Sequence, residues 1–312
     1  MGNTFYFQWE PQLMIWLQQV MGPALTKIMS VITLFGEEML LVAVLGFLYW
    51  CYDKKYAAYV GTNIVAGVTL NGLIKNIWLR RRPYMDHTKI QCLKAPHADT
   101  DIYDVSVQGY SFPSGHSMNS AIVYGSLARY SKGKVLTVLA FVVPFLVGLS
   151  RVMLGVHYPT DVLAGWAGGT VLVFLMPFLM KKMKRWVLHL VLVILALPGV
   201  FYCQTNDYFT GLGLMIGFFL ALPFEERFVR FKNLDFKEKK SYLWAILRVL
   251  GGFAVYLAMN TLLKLPFSDA FLEEAAIGSF LVRTVRYAVV TFTAIGVYPM
   301  VFGFIEKDRK RG

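Results

Sequence analysis

Apolar runs of roughly 17–25 residues recur along most of this 312-residue chain, each long enough to cross a hydrocarbon core of about 30 Å as a helix. Composition agrees, with 56% of residues hydrophobic and 16% charged, where a soluble domain carries about a quarter charged residues. The fold class that follows is an all-α, polytopic membrane protein built as a helical bundle. Spans are expected near 38–52, 56–79, 115–130, 135–151, 159–180, 186–203, 208–224, 243–263 and 277–305. Residues 9–35 are apolar but interrupted, with Pro23 and Lys27 inside, which suits an amphipathic helix lying in the membrane interface. The expected organisation is an N-terminal interfacial helix over 1–35, a transmembrane core over 36–182 and a C-terminal transmembrane extension over 183–312.

The net charge of +12 comes from 31 Lys and Arg against 19 Asp and Glu. In a soluble protein that balance would suggest nucleic acid, but here the basic residues sit mostly in short loops, and no interleaved basic and aromatic strand pattern is present. Alternate loops hold Lys54 and Lys55, then Arg129, Lys132 and Lys134, then Lys181, Lys182, Lys184 and Arg185, then a cluster over 227–240, and finally Lys307, Arg309, Lys310 and Arg311. These nineteen face about six on the other side (Lys27, Arg80, Arg81, Lys89, Lys94 and Lys264), which places the richer side and the C-terminus in the cytoplasm. The 80–114 loop then faces outside. Met1 to Glu10 lacks a basic n-region and a small-residue cleavage site, so a cleaved signal peptide is not expected.

Three clusters place polar residues at the outer ends of spans. The first is KNIWLRRRP, in which Lys75 and Arg82 lie seven apart and would share a helix face. Together they could bind a phosphate, lysine as a point charge and arginine as a planar fork, although a basic run at a helix end is usually a membrane anchor. The second is PSGH, where Ser114 is a candidate N-cap, Gly115 lets backbone approach a ligand, and His116 sits at a helix mouth suited to anions. The third is SRVMLGVHYPTD. Here Arg151 ends one span, Pro159 starts the next, and Asp161 can hold one ring nitrogen of His157 while the other acts as nucleophile. No third His or Cys lies at metal-ligand spacing beside this pair, so neither a metal nor another cofactor is expected. By the assignment of sides, all three clusters open to the outer face. Cations to offset phosphoryl charge, one histidine to attack and another to protonate the leaving oxygen form a set matched to in-line displacement at phosphorus.

The ordered set KNIWLRRRP, PSGH and SRVMLGVHYPTD resembles the three-part signature of the type 2 phosphatidic acid phosphatase superfamily. The intervals fit as well, with 29 residues between Pro83 and Pro113 and 33 between His116 and Ser150. The resemblance covers roughly residues 30–180 and implies a phosphatase core followed by extra C-terminal helices. It implies His157 as nucleophile, Asp161 as its orienting partner and His116 as general acid, with Lys75, Arg82 and Arg151 binding phosphate and Ser114 and Gly115 assisting. It also implies metal independence and inhibition by vanadate. The expected partner is a membrane lipid substrate: a polyprenyl diphosphate, phosphatidate or sphingoid phosphate. Phosphotransfer to a second lipid, hydrolysis of a soluble sugar phosphate, and a non-enzymatic lipid transporter stay open as alternatives. So do oligomeric state and host compartment, the bacterial plasma membrane being the first expectation.

Arg248, Arg283 and Arg286 fall in or at the ends of the last two apolar runs, as head-group or second-phosphate contacts, or, for Arg283 and Arg286, snorkelling or pairing with Glu273 and Glu274. Glu37 and Glu38 need nothing beyond the dipole of the first span. A metal site from His87, His97, Asp99, Asp101 and Asp104 is conceivable, but the spacing is unpersuasive. Of Cys51, Cys92 and Cys203, the last two would share the outer side and could form a disulfide.

Overall fold

The structure, a computed structural model, describes residues 2–96 and 100–303. The major helices are α1 (Trp9–Val20), α2 (Pro23–Ile32), α3 (Glu38–Phe47) and α4 (Lys54–Trp78). Two single-turn helices follow, α5 (Pro83–Asp86) and α6 (Val105–Gln108), then α7 (Gly115–Ser131), α8 (Lys134–Met153), α9 (Pro159–Lys182) and α10 (Arg185–Ala196). The chain continues through α11 (Asn206–Phe224), α12 (Lys240–Leu262), the short α13 (Asp269–Glu273) and α14 (Ile277–Phe292). Within the described residues, every apolar run read from the sequence is therefore essentially helical.

Fewer than nine of these helices are spans by length and composition alone. Among the described residues six qualify: 54–78, 134–153, 159–182, 206–229, 240–262 and 277–303. The run at 38–52 joins 23–36 across a 47° bend, making a seventh span if the pair is counted as one. The expected span at 115–130 is a 17-residue helix, and 185–201 is a short apolar helix finished by a 3-10 turn. The 9–35 segment also differs from the single interfacial helix expected. Extended backbone at Met21 and Gly22, ahead of Pro23 at the first helical position, divides it into α1 and α2.

The chain forms two compact units, one of residues 1–41 and 66–208, the other of 42–65 and 209–312. In the first, α7 and α9 run parallel and unusually close. A Cβ at Gly165 would stand 2.6 Å from the Ser114 carbonyl oxygen, and one at Gly169 would stand 2.7 Å from that of Met118. Two glycines four apart on one helix thus let backbone meet backbone, as small-residue seams do in membranes. The C-terminal half of α4 lies antiparallel to α7, with Gly67 against Ile122 and Asn71 donating to the Pro113 carbonyl at 3.2 Å. The end of α4, the start of α7 and the α8–α9 turn consequently meet at one end of this unit. An N-terminal strap closes over that end, Asn3 exchanging backbone hydrogen bonds with Leu79 (2.6 Å) and Arg81 (3.0 Å).

In the second unit, α11 packs on α14 through Gly213 and Gly217, whose added Cβ atoms would stand 2.4 and 2.3 Å from the Thr284 and Ala288 carbonyl oxygens. Arg248 of α12 is buried for a structural reason. It donates to the carbonyls of Trp50 (2.7 Å) and Lys232 (3.1 Å) and lies over the Phe302 ring.

Candidate active site

Each part of the sequence signature is delivered by a helix terminus. α4 ends at Trp78 because Leu79 adopts a left-handed backbone (φ 54°) while its amide still bonds the Lys75 carbonyl. Lys75 stays in the last helical turn and Arg82 lies beyond the helix in extended backbone before Pro83. The two cations therefore do not share a helix face, contrary to the seven-residue spacing argument. Lys75 Nζ is 2.7 Å from Asp207 Oδ2. The Arg82 guanidinium is fixed by the carbonyls of Gln108, Gly109 and Val156 at 2.7–3.1 Å, which leaves Nη1 3.3 Å from His157 Nε2.

Ser114 caps α7, its Oγ accepting from the Ser117 amide (3.4 Å) and hydroxyl (2.9 Å). Its own amide donates to the Asp161 carbonyl at 2.9 Å, tying the starts of α7 and α9 together. Gly115 faces Asn71 Oδ1, which a Cβ would approach to 3.3 Å. Arg151, buried at the end of α8, donates to Thr33 Oγ1 at 3.0 Å, while its Nε has no partner among the described residues.

His157 is 2% exposed in the turn between α8 and α9. Gly155 makes that turn possible, since it sits at φ 80° and a Cβ there would stand 2.1 Å from the Gln91 carbonyl oxygen. One turn on, Asp161 is fully buried. Its Oδ2 accepts from the Tyr158 amide at 2.8 Å and lies 3.4 Å from His157 Nδ1, a little long for a formed hydrogen bond. Because a guanidinium can only donate, Arg82 assigns the lone pair to Nε2 and the proton to Nδ1, the side facing Asp161. Burial, then the charges of Arg82, Arg151, Lys75 and His116, hold the His157 pKa well below the ordinary imidazole value. The same interactions show that all three signature segments lie within electrostatic reach of this ring.

Two further residues escaped the sequence reading. Arg80, counted there as an ordinary interfacial cation, is 2% exposed and bonds Asp161 Oδ1 through Nη1 at 2.6 Å. Its Nη2 meets Glu10 Oε2 at 3.1 Å, and Glu10 Oε1 accepts from the amide and hydroxyl of Thr160 at 3.0 and 2.7 Å. The guanidinium is stacked 4.0 Å from the centroid of Tyr158 and 4.6 Å from that of Phe5. One carboxylate in an otherwise apolar, aromatic N-terminal stretch was the available signal. Within RRRP, nothing in the sequence separates Arg80 from its neighbours.

The other candidates resolve differently. His87 packs edge-on against Tyr6 and Tyr158, while His97 and Asp99 lie outside the described residues. Among the described residues no three His, Cys, Asp or Glu gather as metal ligands. Cys92 and Cys203 are not bonded to each other.

Fold and site together define a polytopic α-helical membrane protein holding a buried histidine–carboxylate pair ringed by cations. The PAP2 superfamily model matches residues 55–185, and the model described as PAP2 superfamily phosphatase, transmembrane extension, matches 209–310. The chain belongs to the PAP2 superfamily. It is 43% identical to phosphatidylglycerophosphatase B of Bacillus subtilis (strain 168) over 91 residues, which are 26% of this chain and 45% of that protein. It is 26% identical to undecaprenyl-diphosphatase BcrC of the same organism over 163 residues, 52% of this chain and 71% of that one. A crystal structure of the first transmembrane PAP2 type phosphatidylglycerolphosphate phosphatase from Bacillus subtilis aligns with TM-score 0.41 and 28% identity, covering 56% of this chain and 86% of that one.

Proposed function

We propose that this protein is a metal-independent membrane phosphatase that hydrolyses a lipid phosphate or diphosphate through a phosphohistidine at His157. The observation that carries the reading is the arrangement of the His157 ring: Nε2 presents its lone pair beside Arg82 Nη1 (3.3 Å), and Nδ1 faces Asp161 (3.4 Å). Nε2 attacks phosphorus as the P–O ester bond breaks, and the leaving oxygen takes a proton from His116. Lys75, Arg82, Arg151 and the first amides of α7, placed by Ser114 and Gly115, offset the charge of the equatorial oxygens. Asp161 stabilises the imidazolium-like ring as the N–P bond forms. Water, deprotonated by His116, then attacks the same phosphorus, releasing inorganic phosphate and restoring His157.

The long Nδ1–Asp161 contact is consistent with a resting site whose hydrogen bonds tighten when phosphate arrives. Lipid is the preferred substrate class because the two relatives described above are named for lipid phosphates or diphosphates, one a phosphatidylglycerophosphatase and one an undecaprenyl-diphosphatase. The loop charges favour a site on the outer face of a bacterial plasma membrane with the C-terminus in the cytoplasm. The test is phosphate release by the purified protein from a panel of lipid and sugar phosphates, with EDTA and with vanadate. Release that survives EDTA, is blocked by vanadate and disappears in His157→Ala supports the proposal, as does an acid-labile phosphoryl label trapped on His157. Strict dependence on a divalent metal, or full activity in that variant, overturns it.

A further inference from the structure

The second unit contains an arginine that the proposed reaction does not use. Arg286 of α14 is 4% exposed, and no described residue forms a hydrogen bond or ion pair with it. Its Nε is fully enclosed without a partner, and its one contact of note is the ring of the adjacent Tyr287, 5.1 Å away. For Arg286, the pairing with Glu273 or Glu274 expected from sequence is not formed among the described residues. A guanidinium stays charged at any accessible pH, and leaving a buried charge uncompensated is costly.

Two more cations stand above it. Arg283 is one helical turn closer to the start of α14 and half-buried, and Lys264 is exposed where the adjoining helix α12 ends. Arg286 and Arg283, after burial, push the Lys264 pKa down, with Asp269 opposing them, so the three cations share one neighbourhood. Burial rises from Lys264, which is exposed, through Arg283 to Arg286.

Depth indicates what enters. The apolar helix 277–303 has 27 residues, so it is about 40 Å long against a hydrocarbon core of about 30 Å and overhangs by about 5 Å at each end. Arg286 Cα lies nine residues, about 13 Å, along it, hence about 8 Å inside the core. Helical side chains lean toward the N-terminus, and a long arginine stem carries its head the same way. The guanidinium is thereby brought to the boundary where lipid phosphates sit, below Arg283 and Lys264. We infer that Arg286, Arg283 and Lys264 form a binding site for the phosphate head group of an anionic membrane lipid, separate from the His157 site.

The test is native mass spectrometry of the full-length protein in the His157→Ala background, so the result does not depend on that residue being a nucleophile. The probes are dioleoyl phosphatidylglycerol, a phosphodiester with net charge, and dioleoyl phosphatidylcholine, which has none. The expected result is about tenfold tighter retention of phosphatidylglycerol, the equivalent of one charge-assisted contact, abolished in Arg286→Met. Lys264→Gln, at an exposed position where folding is not at risk, should reduce that preference about threefold. An unchanged preference in Arg286→Met overturns the site. Loss of the lipid on adding vanadate overturns its separateness from the His157 site, and release by millimolar inorganic phosphate overturns a lipid head group as the occupant.

Discussion

Replacing Arg80 with methionine keeps the length of the side chain and removes the guanidinium that, among the described residues, is bonded to Asp161. At the 2.6 Å separation of Nη1 and Oδ1, and with an effective dielectric constant of about 20, the attraction is about 6 kcal/mol before desolvation is counted. Protonating an ordinary aspartate at pH 7 costs about 4 kcal/mol, since its proton is normally lost near pH 3.9. With Arg80 present, the anion is the cheaper state. Without it, Asp161 and Glu10 are two buried carboxylates with no guanidinium between them, and taking up a proton becomes the cheaper way out. A neutral Asp161 no longer stabilises positive charge building on His157. The expected outcome for Arg80→Met is a kcat lower by about 10²–10³-fold at neutral pH, the scale of a lost acid–base partner. KM for a short-chain phosphate monoester should change little, because Lys75, Arg82 and Arg151 remain, and kcat should recover partly as pH rises. Glu10→Gln preserves the Arg80–Asp161 pair and should lose about tenfold or less, so the two variants rank the network. The assay is steady-state kinetics from pH 5 to 9 on protein whose circular dichroism and melting profile match the parent. A folded Arg80→Met enzyme with kcat within threefold of the parent would refute the reasoning.

The depressed His157 pKa predicts that the neutral imidazole, the proposed nucleophile, persists below pH 6.5. The acid limb of kcat/KM, which reports the free enzyme, should therefore fall below that value, and a limb at or above it would contradict the assignment. Gly155→Ala places a Cβ 2.1 Å from the Gln91 carbonyl oxygen at φ 80°, so thermal melting should report a loss of about 1–3 kcal/mol together with a fall in kcat. Gly165→Val forces apart helices whose backbones now touch. Phosphate release should drop at least tenfold, whereas Gly133→Val, where a Cβ meets only the Ser131 hydroxyl at 3.6 Å, serves as the quiet control.

What the sequence made legible follows from how local each signal is. Span periodicity and the identity of the signature residues are local, and the structure gathers Lys75, Arg82, His116 and Arg151 within electrostatic reach of the His157 ring, which Asp161 faces at 3.4 Å. Helix termination is local too but finer. Leu79 in a left-handed conformation carries no marker in its residue type, so the shared face imagined for Lys75 and Arg82 was not available to them. The contacts of Glu10 and Arg80 were illegible for another reason. They join positions 70 and 81 residues apart, and an arginine inside RRRP resembles every other interfacial arginine until its partners are seen. Arg248 and Arg286 show the same ambiguity from the other side. Both are intramembrane cations by sequence, yet one is spent on backbone carbonyls and the other is not.

The buried Glu10–Arg80–Asp161 chain also bears on how such a protein is made. Glu10 and the start of α9 are separated by 150 positions, so a ribosome delivers the first carboxylate long before the second. During that interval Arg80 can already be neutralised by Glu10, and the end of α4 enters the bilayer as part of an uncharged pair. The late-arriving helix then finds its cation waiting, so the carboxylate made last closes a buried chain that the one made first had opened.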